Sequence, residues 1–328
     1  MQSTELEVLS QAMAWVNRGQ SVVLFTVINT WGSAPRPVGA LLAIERSGAL
    51  VGSVSGGCIE EELTQRVIAG EFQQCQQLTY GITVEHVERV GLPCGGRLQL
   101  IAEPINQIEQ LEPAVVALKQ RQLVQKQLNL ATGTVHWHPV TEETPLYYDA
   151  HSVRCVYGPS WQLLIIGAGQ LSGYVAEFAL ALNYQVIICD PHPEYAATWT
   201  VAGSQLNHQM PDEAVIAFVR DQRSAVVALT HDPKLDDMAL LEALNTPAFY
   251  IGALGSKANN AKRLTRLSKM GIAQANLARL HAPIGLPIGS RMPAEIAISI
   301  LAEITAVRHG ITLVPTPAQS VWPLQASC

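Results

Sequence analysis

The sequence predicts an α/β protein in which an N-terminal α+β domain precedes a Rossmann-like domain with a doubly wound parallel sheet. From Trp161 onward, short apolar runs alternate with segments of helical periodicity, as in parallel sheets covered by helices. The glycine-rich stretch GAGQLSG follows the first of these runs and opens a helical pattern. Before Trp161, strand patterns bounded by glycine and proline turns outnumber helical ones, which predicts a different, mixed fold there.

Composition and charge predict a folded protein that neither binds nucleic acid nor spans a membrane. The chain has 328 residues, of which 48% are hydrophobic and 15% charged, enough for two folded domains. The formal net charge of -6 argues against a nucleic-acid partner, and no apolar run reaches the length of a membrane span. The N-terminal stretch MQSTELEVLS lacks signal-peptide features, so we expect a cytoplasmic protein with its six cysteines as free thiols.

Residues 1–105 are predicted to form the first domain. A helix is expected from Thr4 to Gly19, because apolar residues recur there at helical spacing. A second helix is expected from Cys58 to Gly70, because acids fill its first turn. The other apolar runs read as strands around a proline-rich loop: SVVLFTVIN, ALLAIERSGALVGSVSG, QCQQLTYGI and GRLQLIAEPI.

Residues 106–160 are predicted to be a connecting segment that contains a helix and a hairpin with Gly133 in its turn. His136 and His138 would share one face of a strand, as a metal pair requires. Because no third ligand is evident nearby, we do not expect a metal there.

The second domain is predicted to span residues 161–310, followed by a C-terminal extension over 311–328. Gly167 allows the sharp turn after the first strand, and Gly169 lets a phosphate approach the helix N-terminus. Asp190 ends the next strand, where an acid can accept hydrogen bonds from ribose hydroxyls. A Rossmann-like domain with an empty or repurposed loop is the alternative.

Three further loops follow predicted strands of this domain, at the edge of the sheet where such folds bind ligands. They combine glycine, hydroxyl and charged residues ahead of helices, which suits an anion. Ordinary turn and capping chemistry explains any one of them equally well. The three loops are THDPKLDD, GALGSK and APIGLPIGSR.

Several motifs in order resemble the XdhC/CoxI family of maturation factors for xanthine dehydrogenase and carbon monoxide dehydrogenase. They are GSAPRPVGALLAI, GSVSGGCIEEEL, GLPCGGRLQL, LLIIGAGQLSGYVAEFALALNYQVIICDPHPEYA, THDPKLDD, YIGALGSKANNAKRL and APIGLPIGSRMPAEIAISILAEI. The resemblance implies a chaperone rather than an enzyme, which binds molybdenum cofactor, shields it during sulfuration and inserts it into an apo molybdenum hydroxylase. It also implies a cysteine desulfurase as sulfur donor. The chain departs from the family pattern at Gln170, His192 and Met292.

The cofactor is an anion that carries a dithiolene, a pterin and a phosphate or dinucleotide. Close backbone approach, cations and soft ligands would suit it, so we expect Cys58 and Cys94 to face molybdenum or to carry sulfur. Both thiols could instead be small apolar fillers in glycine-rich turns. The candidate cofactor-binding residues are Arg36, Ser55, Gly56, Gly57, Cys58, Cys94, Gly95, Gly96, Gly167, Gly169, Gln170, Asp190, His192, His231, Asp232, Gly255, Ser256, Lys257, Gly285, Gly289 and Arg291.

Two other functions fit the same sequence. An NAD(P)-dependent oxidoreductase would use the same glycine loop, but it would leave the first domain unexplained. A regulatory or scaffold protein would carry a vestigial Rossmann fold. Asp190 fits NAD and also the cytidine ribose of a dinucleotide cofactor, so the sequence leaves molybdopterin and its cytosine dinucleotide form both open. We further expect that the chain forms a homodimer.

Overall fold

A computed structural model describes residues 5–32, 36–57, 59–81, 97–196, 198–230 and 232–311. The chain divides into two compact units, Met1–Ser160 and Trp161–Cys328. None of the helices in the described ranges combines the length and the apolar character that a bilayer crossing needs.

The first unit contains two antiparallel sheets and three α-helices among its described residues. A five-stranded sheet has the order β3-β2-β1-β5-β4, and a four-stranded sheet has the order β7-β6-β9-β8. The elements are α1 (Glu5–Asn17), β1 (Val22–Trp31), β2 (Leu41–Glu45), β3 (Leu50–Gly52), α2 (Glu60–Ile68), β4 (Gln76–Tyr80), β5 (Arg97–Ile105), a 3-10 turn (Ile108–Gln110), α3 (Glu112–Lys119), β6 (Leu123–Asn129), β7 (Val135–Val140), β8 (Tyr147–Tyr148) and β9 (Ser152–Tyr157).

Both faces of the five-stranded sheet are covered. Along β1, Val22 and Leu24 pack with α1 and α3 on one face, whereas Val23 and Phe25 pack with α2 on the other. Successive strand residues point to opposite faces, so a strand covered on both sides needs apolar residues at every position. Burial of β1 on both faces therefore explains the nearly continuous apolar run in SVVLFTVIN.

Residues 106–160 fold as part of the first unit. The predicted hairpin is present as β6–β7, and the stretch HSVRCVYGPS at the end of this segment, for which the sequence predicts no strand, supplies β9. Strand β9 pairs antiparallel with β6, from Val124 opposite Tyr157 to Asn129 opposite Ser152. This partner lies well upstream in the sequence, and a local pattern does not reveal it.

The second unit is a six-stranded parallel sheet in the order β12-β11-β10-β13-β14-β15, with helices between the strands. This confirms the predicted Rossmann-like architecture. The elements are β10 (Gln162–Ile166), α4 (Gln170–Ala181), β11 (Gln185–Cys189), α5 (Pro193–Ala196), β12 (Gln205–Asn207), α6 (Pro211–Phe218), β13 (Ser224–Ala228), α7 (Pro233–Ala243), β14 (Tyr250–Ala253), α8 (Lys257–Lys269), α9 (Gln274–Leu277), β15 (Leu280–His281) and α10 (Pro293–Arg308).

The strand order reverses between β10 and β13, the two central strands of this sheet. All residues of both strands are buried, and apolar clusters lie on both faces of the sheet. In open α/β sheets, ligands bind outside the carboxyl ends of the strands at such a reversal. The loops after Ile166 and Ala228 therefore border the expected binding crevice.

Candidate functional site

In the first unit, the glycine-rich loop Ser53–Gly57 encloses the carboxylate of Glu60. The backbone N–H groups of Val54 and Ser55 donate to Glu60 Oε1, each at 2.9 Å, and that of Gly57 donates to Oε2 at 3.0 Å. The Ser53 hydroxyl donates to Oε1 at 2.6 Å, and the Ser55 hydroxyl donates to Oε2. The donors expected to face a ligand are engaged with a carboxylate of the same chain.

This environment changes the acidity of Glu60, whose side chain is only 7% exposed. Burial alone would raise its pKa, but hydrogen bonds from Ser53 and Ser55 outweigh burial and lower the pKa from 4.5 to about 2. The sequence places Glu60 only among the acids in the first turn of a predicted helix. In the structure it is the anion around which the loop folds.

Arg36 lies beside the same loop, because its Nε donates to the carbonyl oxygen of Ser53 at 3.2 Å. The structure thus brings together four of the predicted cofactor-binding residues, Arg36, Ser55, Gly56 and Gly57. Their role in cofactor binding stays a prediction. Cys58, Cys94, Gly95 and Gly96 lie outside the described residues, and so does His231.

In the second unit, a cavity of about 750 Å³ opens at the carboxyl ends of β10, β11 and β13. It has a polar side formed by the glycine loop and three acids, and an apolar side formed by leucines, prolines and an isoleucine. We call it the glycine-loop cavity. Its lining residues are Gly167, Ala168, Gly169, Gln170, Leu171, Asp190, His192, Glu194, Leu229, Thr230, Asp232, Pro233, Leu235, Leu254, Pro293 and Ile296. Six of the predicted cofactor-binding residues are among them.

Gly167 and Gly169 of the glycine loop differ in whether the fold requires glycine at their positions. Gly167 has φ +101°, and a Cβ there would lie 2.9 Å from Thr230 Cγ2, so the fold itself requires glycine. Gly169 has φ -82°, and a Cβ there would meet no atom within 4 Å. Neither conformation nor packing explains glycine at position 169. Close approach of a ligand to the start of α4 would explain it.

Asp190 is 5% exposed, and both of its carboxylate oxygens are engaged within the chain. Oδ2 accepts from the backbone N–H of Ala168 at 2.8 Å, and Oδ1 accepts from the backbone N–H of His192 at 3.0 Å. The His192 ring nitrogen Nδ1 lies 3.1 Å from the same Oδ1. The acid therefore holds the glycine loop and orients His192, in addition to facing the cavity.

Buried charges fix the loops after β13 and β14. Asp236 accepts from the Thr230 hydroxyl at 2.7 Å and from Arg263 Nη2 at 2.7 Å, and Asp237 accepts from Arg263 Nε at 3.1 Å. Arg263 Nη1 also donates to the carbonyl of Leu254 at 2.9 Å. Burial raises the pKa of Asp236, although Thr230 and Arg263 act in the opposite direction. This network ties α7 and α8 to two strand ends.

Asn260 completes that network. Its side-chain Oδ1 accepts from Arg263 Nη1 at 2.6 Å, and its Nδ2 donates to the carbonyl of Gly255 at 3.0 Å. Gly255 has φ +141°, and it borders a second, smaller cavity of about 270 Å³. Ser256 caps α8 by accepting from the Asn259 N–H at 3.2 Å, and Lys257 is exposed in the first turn. Neither Ser256 nor Lys257 lines a described cavity.

Gly285, Gly289 and Arg291 do not line the glycine-loop cavity either, although their loop leads into α10. Gly285 has φ +91°, and a Cβ there would lie 2.5 Å from Ser299 Oγ, so packing requires this glycine. At the start of α10, the Glu295 carboxylate accepts from the N–H of Arg291 at 2.8 Å. It also accepts from the Met292 N–H at 3.0 Å, so it supplies the cap that the Met292 side chain lacks.

Glu303, which the sequence analysis did not single out, orders the Gly285 loop. Its carboxylate accepts from Tyr250 Oη at 2.5 Å, from the Gly285 N–H at 2.7 Å and pairs with His281 Nδ1 at 3.0 Å. Burial raises the pKa of Glu303, but the hydrogen bonds of His281 and Tyr250 lower it overall. An acid inside the apolar run ISILAEI was the signal that could have revealed it, as the basic residues of NAKRLTRL could have revealed Arg263.

Burial disfavours the thiolate form of the three described cysteines. Burial raises the pKa of Cys75 and of Cys155 to about 11 each, and that of Cys189 to about 12. Within the described ranges, no group of three or more histidine, cysteine or acidic side chains could hold a metal ion. His136 and His138 are both exposed on β7.

This is a protein that carries a Rossmann domain C-terminal to an α+β unit. The class is defined by the strand order, the glycine loop and the reversal between β10 and β13. Comparison with known families identifies it further. The XdhC Rossmann domain matches residues 163–304, and the XdhC and CoxI family matches residues 15–81. The two matches together span well over half of the chain, which belongs to the XdhC/CoxI family.

Individual relatives agree with this assignment. The molybdenum cofactor insertion chaperone PaoD of Escherichia coli K12 is 27% identical over 92% of this chain and 88% of its own. A probable xanthine dehydrogenase subunit of Bacillus subtilis 168 is 26% identical over 90% and 96%. The crystal structure of a xanthine dehydrogenase from Bacillus halodurans superposes with a TM-score of 0.73 at 23% identity, covering 96% and 98%, and it shares the fold.

Proposed function

We propose that this protein is a chaperone that binds molybdenum cofactor and inserts it into a molybdenum hydroxylase of the xanthine dehydrogenase type. The glycine-loop cavity carries the proposal. Its volume of about 750 Å³ lies within the range of small-molecule sites, and it combines an apolar side with hydrogen-bonding groups at the sheet reversal. Membership of the XdhC/CoxI family and the function in the name of the relative PaoD support the same conclusion.

The cavity offers distinct contacts to the parts of this cargo. Leu229, Leu254 and Ile296 give an apolar wall for the flat pterin ring. His192 and Asp232 supply hydrogen-bonding groups beside it, and the start of α4 at Gly169 leaves room for backbone approach. These contacts would hold the cofactor and exclude water from it without any chemical change, which is the task of a chaperone.

The finer parts of the function are included in the proposal. The protein would shield the cofactor while a cysteine desulfurase supplies the sulfido ligand, with Cys58 and Cys94 facing molybdenum or carrying sulfur. Thiolate is a soft ligand that suits this metal. The cargo would be molybdopterin or its cytosine dinucleotide form.

The test is anaerobic purification from a host that makes the cofactor, followed by oxidation and mass spectrometry of the released ligand. We expect a fluorescent pterin product at close to one per chain, and activation of an apo-hydroxylase by the loaded protein. A Gly169→Val variant should lose the pterin, because a side chain would fill the space at the start of α4. Gly173→Val is the matched control, since a Cβ at Gly173 also meets no atom within 4 Å but Gly173 does not line the cavity.

Recovery of NAD(H) in place of a pterin would overturn the proposal in favour of an oxidoreductase. If the Gly169→Val variant contains as much pterin as the wild type, the glycine-loop cavity is not the cofactor-binding site. A Cys58→Ser/Cys94→Ser variant that loads and transfers sulfurated cofactor normally would remove the proposed role of the thiols.

A further inference from the structure

A second cavity adjoins the glycine-loop cavity in the second unit. It has a volume of about 270 Å³ and shares Thr230, Pro233 and Leu254 with its larger neighbour. Its other wall is one side of α8, which contributes Asn259, Lys262, Arg263 and Arg266. We call it the α8 cavity. A ligand in the larger cavity could extend into it past Thr230.

The two cavities differ in charge. Asp190, Glu194 and Asp232 line the glycine-loop cavity, which holds no lysine or arginine among the described residues of its wall. The α8 cavity is lined by three cations, Lys262, Arg263 and Arg266, and by the acid Asp236. Asp237 does not line it but pairs with Arg263 and Arg266, so one net positive charge remains in this group. A phosphate group would be repelled in the first environment and attracted in the second.

Two of the three cations have N–H donors to which no described residue is hydrogen-bonded. Arg263 is buried and uses its guanidinium on Asp236, Asp237, Asn260 and the Leu254 carbonyl. Within the described part of the chain, Arg266 is bound only through Nε, to Asp237 Oδ2 at 2.6 Å, so both of its terminal amino groups stay available.

Lys262 is exposed, and its side-chain Nζ makes no hydrogen bond or ion pair with any described residue. Lys262 and Arg266 stand at spacing i and i+4 on α8, and so they lie on one side of the helix. They form a pair of cations whose remaining donors are not used by the described residues of the fold.

The glycine loop is correspondingly less suited to an anion than its sequence implies. The Asp190 carboxylate occupies the Ala168 N–H at 2.8 Å, a donor that a bound pyrophosphate would need. A second negative group there would also stand beside Asp190 itself. The loop is better matched to a neutral ring or to hydroxyl groups.

We propose that the α8 cavity is an anion site, in which Lys262 and Arg266 bind a phosphate or diphosphate group of the ligand. This inference rests on the proposed function for the identity of the whole ligand, but the site itself is defined by phosphate chemistry alone. The phosphate end of the cargo then lies at α8, and its ring lies in the glycine-loop cavity.

Titration calorimetry at low salt with inorganic pyrophosphate and with cytidine 5′-diphosphate tests the site. A Lys262→Ala/Arg266→Gln variant should bind both probes about tenfold more weakly or worse, since a hydrogen bond to a charged group contributes that much. Lys269→Ala is the matched control, because Lys269 is exposed on the same helix and lines neither cavity. Circular dichroism and the thermal midpoint verify that the variants fold.

The outcomes separate this site from the proposed function. If the wild type binds neither probe, or if the double variant binds both as tightly as the wild type, the α8 site is wrong. Loss of both probes in Gly169→Val with retention in the double variant would place the phosphate at the glycine loop instead. If the probes behave as expected but no pterin is recovered from the native protein, the anion site stands and the cargo assignment fails.

Discussion

The two units use buried carboxylates near glycine-rich loops in opposite ways. In the first unit, Glu60 is surrounded by N–H and O–H groups of Ser53–Gly57, all within seven positions of it in the sequence. In the second unit, Asp236 and Asp237 pair with Arg263, which comes from another helix. The first arrangement closes its loop around a carboxylate, whereas the second ties α7 and α8 to the ends of β13 and β14, beside two cavities. A glycine-rich loop is therefore open to an anionic ligand only where a carboxylate of the chain does not already accept from its donors.

The largest expected effect is on stability, and it tests the pairing of Arg263 with Asp236 and Asp237 in the second unit. An Arg263→Met substitution leaves Asp236 and Asp237 buried beside fewer cations, and it should destabilise this unit by about 3–5 kcal/mol. Urea unfolding combined with hydrogen exchange measured on peptides of each unit locates the loss. Lys269→Met should change stability by less than about 0.5 kcal/mol, because Lys269 is an exposed residue of the same helix. A loss from Arg263→Met no larger than this control would contradict a structural role of the network.

The next effect tests the local closure of the first unit. Glu60→Gln removes the charge that accepts hydrogen bonds from Ser53 to Gly57, and it should destabilise this unit by about 3 kcal/mol at pH 7. Because the pKa of Glu60 falls from 4.5 to about 2 on folding, the wild type keeps this contribution above pH 4.5. It loses the contribution as the pH falls from there towards 2.

Urea unfolding at pH 7 and at pH 3 measures this dependence, and the difference between wild type and Glu60→Gln should shrink at the lower pH. Glu61→Gln is the matched control, since Glu61 is exposed in the same helical turn. A pH-independent difference would show that Glu60 stabilises the loop by packing rather than by charge.

The smallest effect concerns Asp190, which resembles Glu60 in holding a glycine loop but faces a cavity as well. Asp190→Asn keeps an oxygen that can accept the Ala168 N–H and removes the negative charge. We expect the affinity of the α8 cavity for inorganic pyrophosphate to rise by about threefold, or roughly 0.7 kcal/mol, because Asp190 in the adjoining glycine-loop cavity no longer repels the anion. Glu213→Gln, on the exposed side of α6, is the control. An unchanged or lower affinity would mean that the charge of Asp190 does not oppose anions there.

Much of the second unit could be predicted because its signals are local. Each buried parallel strand reads as a short apolar run, as in QLLII and SAVVA, and each helix has its own periodicity. The positions of Gly167, Gly169 and Asp190 around one cavity followed from the fixed geometry of a strand, a turn and a helix. In the first unit, β9 escaped prediction because its partner β6 is distant in sequence.

The sequence by itself determined the fold class, the family and the set of loops at the edge of the parallel sheet, since these depend on periodicity and ordered motifs. Only the tertiary structure decided which acceptors the N–H groups of those loops are hydrogen-bonded to. The N–H groups of Ser55 and Ala168 could donate to a ligand or to a carboxylate of the chain. Which of these happens depends on whether a carboxylate oxygen lies within about 3 Å of the nitrogen. The partnership of Asp236 and Asp237 with Arg263, and the available cations beside it, likewise arise from packing between helices. Residue spacing carries no information on that packing.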